Sequence, residues 1–257
     1  MLPLLRLMIR LIGIVDLVLF TLLMLAAGML PSIIAKALYS RLFHRWCRCF
    51  VRALGIELRV HQHYAGELPR IMVLIANHPS AFEDIAIPAL FKARSLAKIE
   101  VADWWIVGRI ARAAGTLFVD RNAADSRKAA TQALIHALQQ GDSIALYPEG
   151  GCKGRRLSAR FFNGAFTASY ATGIPIVPIY LHYEAAEDFE WGDQHLLHKI
   201  WQLGTASNPR ANVHIHDPVD PADFEDAESL KTHLYECYLT WQDRYTGAPC
   251  QQLSKHQ

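Results

Sequence analysis

Residues 72–84 read MVLIANHPSAFED, and the order of apolar and polar residues in this stretch decides the fold. The run Met72–Ala76 is apolar at every position, which suits a strand buried on both faces of a sheet better than the alternation of a half-exposed strand. Asn77 ends the run. Pro79, a residue suited to a first helical turn, opens a helix predicted over 79–91. A strand therefore delivers Asn77 and His78 to the mouth of a helix.

The same alternation continues outward. IELRV (56–60) precedes this unit as a short strand, and GTLFVD (115–120) follows it, leading into a helix over 123–140 that stops near Gly141. SIALYP (143–148) is a further strand, with Pro148-Glu149-Gly150-Gly151 at its edge. A helix over 163–172 precedes IPIVPIYLHY (174–183), whose prolines predict an edge or irregular strand. A strand near 212–216 and a helix over 224–242 complete the chain. This pattern predicts an α/β fold, a mostly parallel or mixed sheet covered by helices. Neither a Walker A motif nor a glycine-rich dinucleotide fingerprint is present.

Ahead of that body, residues 11–30 (LIGIVDLVLFTLLMLAAGML) give about 30 Å of helix, enough to reach across a hydrocarbon core. Asp16 makes a plain lipid-exposed span costly, by about 2.5–3.5 kcal/mol at mid-membrane. Pro31 stops the run, and 32–54 is amphipathic and basic, suited to an interface. Residues 1–60 carry eight basic side chains against Asp16 and Glu57, a balance of +6 within a chain of net charge +2. Basic residues bordering an apolar segment suit an anionic membrane surface, not nucleic acid. The expected organisation is a membrane-associated helical region over 1–54, as a span or as a shallow hairpin, and one catalytic domain over 55–257. The five cysteines, Cys47, Cys49, Cys152, Cys237 and Cys250, form no CxxC pair and no disulfide framework, so ordinary thiols are expected.

His78 is the sharpest chemical candidate. A neutral imidazole accepts a hydroxyl proton near pH 7, and a neighbouring carboxylate fixes its tautomer and stabilises the imidazolium that forms. No second and third ligand stand at metal-site spacing, so neither a metal nor another cofactor is expected. GxSxG is absent, which disfavours an esterase or thioesterase, and a non-catalytic membrane-binding protein is the remaining alternative.

NHPSAFED resembles the first motif of the glycerolipid acyltransferases related to 1-acylglycerol-3-phosphate acyltransferases, Asn-His followed by an acid five residues beyond the histidine. Glu83 holds that place, where the family normally has aspartate; Asp84, one residue on, is the alternative partner. GTLFVDR (115–121) resembles the second motif, with Arg121 at the family's phosphate-binding position and Asp120 organising the corner. YPEGGCKG (147–154) resembles the third motif through Glu149 and Gly150. It departs from the usual threonine-arginine-serine at Gly151, Cys152 and Lys153, so Lys153, Arg155 or Arg156 is expected to replace the missing anion-binding charge. Lys98 in LAKIEV matches a weaker feature, and Ile174–Pro178 resembles a fourth motif at the wall of the acyl-donor site.

The resemblance, spanning about residues 50–220, implies that His78 deprotonates a lysolipid hydroxyl, which attacks an acyl thioester. Acyl-CoA or acyl-acyl-carrier protein is then the donor and membrane lipids are the partners. The acceptor expected first is lysophosphatidate, with lyso-ornithine lipid as the alternative. The expected location is the cell membrane, the inner membrane if Gram-negative, with the catalytic domain facing the cytoplasm.

Overall fold

The computed structural model describes residues 2–28, 32–152, 154–191 and 195–247. Lys153 and Cys250 lie outside the described residues. Two helices come first, α1 (Leu2–Ala27) and α2 (Ser32–Leu54), followed by strands β1 (Glu57–His63) and β2 (Val73–Ala76). Helix α3 (Glu83–Leu90) leads to β3 (Arg94–Lys98), a 3-10 turn over Ile99–Asp103, α4 (Trp105–Ala113) and β4 (Leu117–Val119). Then come α5 (Ala124–Gln139), β5 (Ile144–Leu146), α6 (Gly164–Thr172), β6 (Ile176–Tyr183), α7 (Ala186–Phe189), α8 (Leu196–Gly204), β7 (Arg210–His216) and α9 (Ala227–Thr246).

The seven strands form one sheet in the order β1-β7-β6-β2-β5-β3-β4. Every pairing is parallel except β6 with β7, so the sheet is mixed, as expected. Each strand of the central pair is buried on both faces. Leu74 and Ala76 of β2 join one core with residues of α1, α2, α3 and α4, and Val73 and Ile75 join a second core with α5, α6 and α9. That double burial is the physical reason for the uninterrupted apolar run of residues 72–76.

Two expectations are corrected. The first helix after β2 begins at Glu83, not at Pro79, because residues 78–82 form a turn closed by the Glu83 carboxylate on the Ser80 N–H. β6 is a regular central strand despite its prolines. Pro178 pairs with Ile75 on the β2 side, and the ladder with β7 starts only at Ile179. The Tyr238 hydroxyl of α9 enters here, accepting from the Ile179 N–H at 3.2 Å and lying 2.8 Å from the Ile75 carbonyl it can donate to. The tyrosine thus satisfies backbone groups at the rung where proline supplies no donor. β3, α4, α7 and α8 were not predicted; three of these are short, and β3 is only half-buried.

α1 and α2 form an antiparallel hairpin. Asp16 meets Arg52 at 3.3 Å, and the Trp46 indole donates to Thr21 at 2.8 Å. At Gly13 a Cβ would lie 2.8 Å from the Ala53 nitrogen, so only glycine permits this crossing. The Arg52 partner supplies the compensation that Asp16 requires in an apolar helix. α2 in turn buries Tyr39, Trp46, Cys47 and Leu54 in the first core. The outer face of α1 stays uncovered, and Leu7–Ala27 is long and apolar enough to cross a membrane.

Candidate active site

The end of β2 is held in place by side-chain bonding that continues the sheet. The Asn77 amide donates to the Leu181 carbonyl at 2.8 Å, and its oxygen accepts from the Leu181 N–H at 2.7 Å. One side chain thereby imitates a further rung of the β2–β6 ladder and fixes the next residue, His78. The His78 N–H donates to Glu149 at 2.7 Å, and the other oxygen of that carboxylate accepts from the Ser158 N–H at 2.7 Å. Glu149 is buried and ties the histidine backbone to the loop after β5. Two backbone donors, not a basic side chain, are its partners.

The His78 ring is clamped on one face and both nitrogens. It stacks on Tyr147 with ring centroids 4.1 Å apart. Nδ1 lies 2.9 Å from Glu83, whose carboxylate also accepts from the Ser80 N–H at 2.9 Å and from the Tyr183 hydroxyl. Nε2 faces the Cys152 sulfur at 3.4 Å. Asp84, the alternative partner, is exposed at the rim and reaches toward Tyr147 instead.

Burial holds the His78 imidazole below the ordinary histidine range, against the upward pull of Asp84 and Glu149. Burial also pushes the Glu83 carboxyl up, opposed by the hydrogen bonds from Tyr183 and Ser80. With Tyr183 O–H, Ser80 N–H and Nδ1–H all directed at it, Glu83 is arranged as an acceptor, the carboxylate form. That assignment puts the proton on Nδ1 and leaves the Nε2 lone pair free to act as a base.

Arg121, at the end of β4, donates to the Gly150 carbonyl and stands beside Gly151. Burial lowers its pKa, with Asp84 opposing, yet a guanidinium keeps its charge at any physiological pH. Asp120 shapes the corner by accepting from the Asn122 N–H at 2.9 Å. Gly150 has φ +74°, and a Cβ there would lie 2.4 Å from the Phe162 ring. The close approach that requires glycine is therefore to an aromatic ring of the protein itself.

The other candidate cations are placed differently. Arg155 is bound by Glu190 at 2.6 Å and Glu187 at 3.4 Å, so its charge is already balanced. Arg156 is exposed, and Lys98 forms a surface ion pair with Glu100 at 2.7 Å. Ile176 and Val177 of the fourth motif are fully buried in the two cores. A cavity of about 370 Å³ opens at the ends of β2 and β6, lined among others by Asn77, Pro79, Arg155, Tyr183, Glu187 and Glu190; the His78 ring is not part of its lining. Tyr147 and Tyr183, together with Asn77 and Cys152, which the sequence marks only as motif positions, complete the site; what they touch depends on which strands become neighbours. Among the described residues no cluster of His, Cys, Asp and Glu is arranged to hold a metal ion.

An acyltransferase family model matches residues 58–182, which include His78, Glu83, Arg121 and Glu149. The chain is 31% identical over 207 residues to a lyso-ornithine lipid O-acyltransferase of Pseudomonas aeruginosa, covering 77% of this chain and 78% of that protein. It is 25% identical over 194 residues to a 1-acyl-sn-glycerol-3-phosphate acyltransferase of Neisseria meningitidis serogroup B, covering 74% and 76%. In fold it is similar to the crystal structure of the 1-acyl-sn-glycerophosphate acyltransferase PlsC from Thermotoga maritima, with a TM-score of 0.64 at 19% identity over 96% of this chain and 99% of that one. Shared sequence across three-quarters of both chains, with the histidine and its acid inside the matched region, makes this protein a member of the acyltransferase family.

Proposed function

We propose that the protein transfers an acyl group from acyl-CoA or acyl-acyl-carrier protein to the free hydroxyl of a lysolipid with an anionic headgroup, lysophosphatidate first. The observation that carries this reading is the His78 ring, with Glu83 on Nδ1 and only the weakly bonding Cys152 sulfur, at 3.4 Å, on Nε2. The acceptor hydroxyl enters at Nε2 and gives its proton to the imidazole as its oxygen attacks the thioester carbonyl. A C–O bond forms, the C–S bond breaks, and the departing thiolate recovers the proton from the imidazolium. Glu83 stabilises the charged ring during the step. Arg121 supplies the cation that holds the anionic group of the acceptor, and no acyl-enzyme is needed.

Lyso-ornithine lipid is the second reading. Its headgroup combines an anionic and a cationic group, and the Glu187–Glu190 pair beside the cavity already holds one cation, Arg155. An acyl-transfer panel crossing lysolipid headgroups with both thioester donors tests the proposal. Phosphatidate from lysophosphatidate is the expected product; transfer to lyso-ornithine lipid alone would select the second reading, and free fatty acid with no acylated lipid would reject both.

The uncovered apolar face of α1 and the exposed arginines of α2 support attachment to a cell membrane, with the catalytic body on the cytoplasmic side where both donors are made.

A further inference from the structure

Two helices beyond the N-terminal hairpin expose large apolar side chains. On α4, Trp105 is 79% exposed, with Trp104, Ile106 and the preceding Ile99 also exposed. On α8, Leu197 is 79% and Trp201 71% exposed. Leu197 and Trp201 are one helical turn apart and share a side, while Lys199 and Leu203 are buried on the other. Scattered exposed leucines are ordinary, but indole rings held this far into solvent on two separate helices are not.

Both helices lie at the end of the sheet that carries His78. α4 follows the carboxyl end of β3, which runs parallel to β2 through β5. α8 precedes β7, whose Ala211 pairs with Tyr183 at the last residue of β6. Both also flank the hairpin: α4 touches α1 and α2, α8 touches α2, and Arg10 of α1 donates to the Gly204 carbonyl at the end of α8.

We propose that Trp105 on α4 and Leu197 with Trp201 on α8 are a second set of membrane-inserting residues, which seats the mouth of the active site on an anionic bilayer. The occupant is a bilayer because both helices pack on the hairpin whose own outer apolar face is uncovered and long enough to cross a membrane. Exposed cations accompany them, Arg109 and Arg112 on α4 itself and Arg41, Arg45 and Arg52 on α2, the helix both α4 and α8 touch. Indole rings beside arginines match the boundary between headgroups and acyl chains. The hairpin alone tethers the chain; anchors on both sides fix its tilt, so that a lysolipid leaving the bilayer meets His78. The advantage at the site rests on the lysolipid reading above, whereas the insertion itself does not.

The test uses the full chain with Trp105→Glu and Trp201→Glu, separately and together. Sedimentation with phosphatidylcholine–phosphatidylglycerol vesicles measures partition, and transfer is compared between a vesicle-borne acceptor and a short-chain monomeric one. Each substitution is expected to weaken partition about tenfold, with unchanged circular dichroism and unchanged transfer to the monomeric acceptor. In the unsubstituted chain, bromine-labelled acyl chains should quench the emission that Trp105→Phe and Trp201→Phe remove. Wild-type partition by the double variant, or absence of that quenching, overturns the proposal. So does loss of a self-associated species in sedimentation velocity with partition unchanged, which would mark a protein interface. Failure of the wild type to acylate any acceptor would sink the lysolipid reading while leaving the partition and quenching results to decide this one.

Discussion

The sulfur of Cys152 stands 3.4 Å from Nε2 of His78, across the ring from the Glu83 carboxylate. In the proposed mechanism Nε2 receives the acceptor proton, so the thiol occupies the station proposed for the hydroxyl. Burial pushes that thiol far above its usual pKa, with Glu83 and Asp84 adding to the effect, so it stays protonated and a weak ligand of the imidazole. A weakly bound thiol is displaced by substrate. Cys152→Ala should therefore leave turnover within about threefold of wild type. Cys152→Leu, which fills the same space with carbon, should lower kcat/KM at least about a hundredfold at similar thermal stability. Steady-state rates and melting curves on both variants check this; an inactive but folded Cys152→Ala would give the sulfur a direct role in the chemistry.

The contrast between the adjacent acids is equally testable. His78→Ala and Glu83→Gln should each cost about 10²–10⁴ in acyl-transfer rate, the usual contribution of a general base and its support. Asp84→Asn should stay within about threefold. Because burial depresses His78, the acid limb of the kcat/KM profile should fall below about pH 6.5. Asp84 raises the His78 pKa, so Asp84→Asn should move that limb further toward acid. A strong Asp84→Asn defect beside an active Glu83→Gln enzyme would transfer the orienting role.

Arg121→Ala removes a candidate headgroup cation that is half-buried beside Gly150 and pairs directly with no carboxylate among the described residues. Losing a charge-assisted contact should raise KM for an anionic lysolipid by about 1.5–3 kcal/mol, tenfold to a hundredfold. kcat should change less, since the base and its carboxylate stay in place. The guanidinium also holds the Gly150 carbonyl, so Arg121→Lys serves as a control that keeps charge and loses the fork. Equal KM in all three proteins would remove Arg121 from the headgroup site.

His78, its acid, Arg121 and Glu149 were legible in the sequence because each sits at fixed spacing within one strand-turn unit. The partners that hold them were not, because they come from other units. Tyr183 reaches Glu83 from a position 100 residues away, and Asn77 completes a rung with Leu181, 104 residues away. Nothing local to either residue reveals those pairings. The prolines of β6 point to an edge strand for the same reason: a proline lacks the ladder donor, and the Tyr238 hydroxyl that serves this rung comes from the last helix. Gly150 is legible as a motif position, but the contact that requires glycine there is with Phe162, 12 residues on.

The last prediction concerns the histidines gathered on the β1–β7–β6 side of the sheet. His61 and His63 of β1, His182 of β6 and His214 and His216 of β7 gather beside α9. The ring centroids of His61 and His214 are 4.4 Å apart and those of His63 and His216 4.9 Å; Tyr245 lies 3.8 Å from His214 and Trp241 3.7 Å from His216. Burial and the neighbouring histidines push His214 down to about 3, and burial with His63 and Arg244 pushes His216 down to about 4. In the unfolded chain both titrate near 6.5. Between those values the unfolded state binds more protons, so stability is retained above about pH 6.5 and lost as pH falls toward 4, by up to about 1.4 kcal/mol per pH unit for each group. Phenylalanine keeps the stacking and carries no proton. His214→Phe and His216→Phe should therefore flatten the acid side of the stability profile relative to wild type, additively if the two rings titrate independently. Urea midpoints at pH 7.5, 6, 5 and 4.5 measure this; the wild-type comparison cancels the opposite-signed effects of buried Glu83 and Glu149, which both variants retain. Parallel profiles for wild type and variants would show that the stacked histidines do not set the acid limit of the fold.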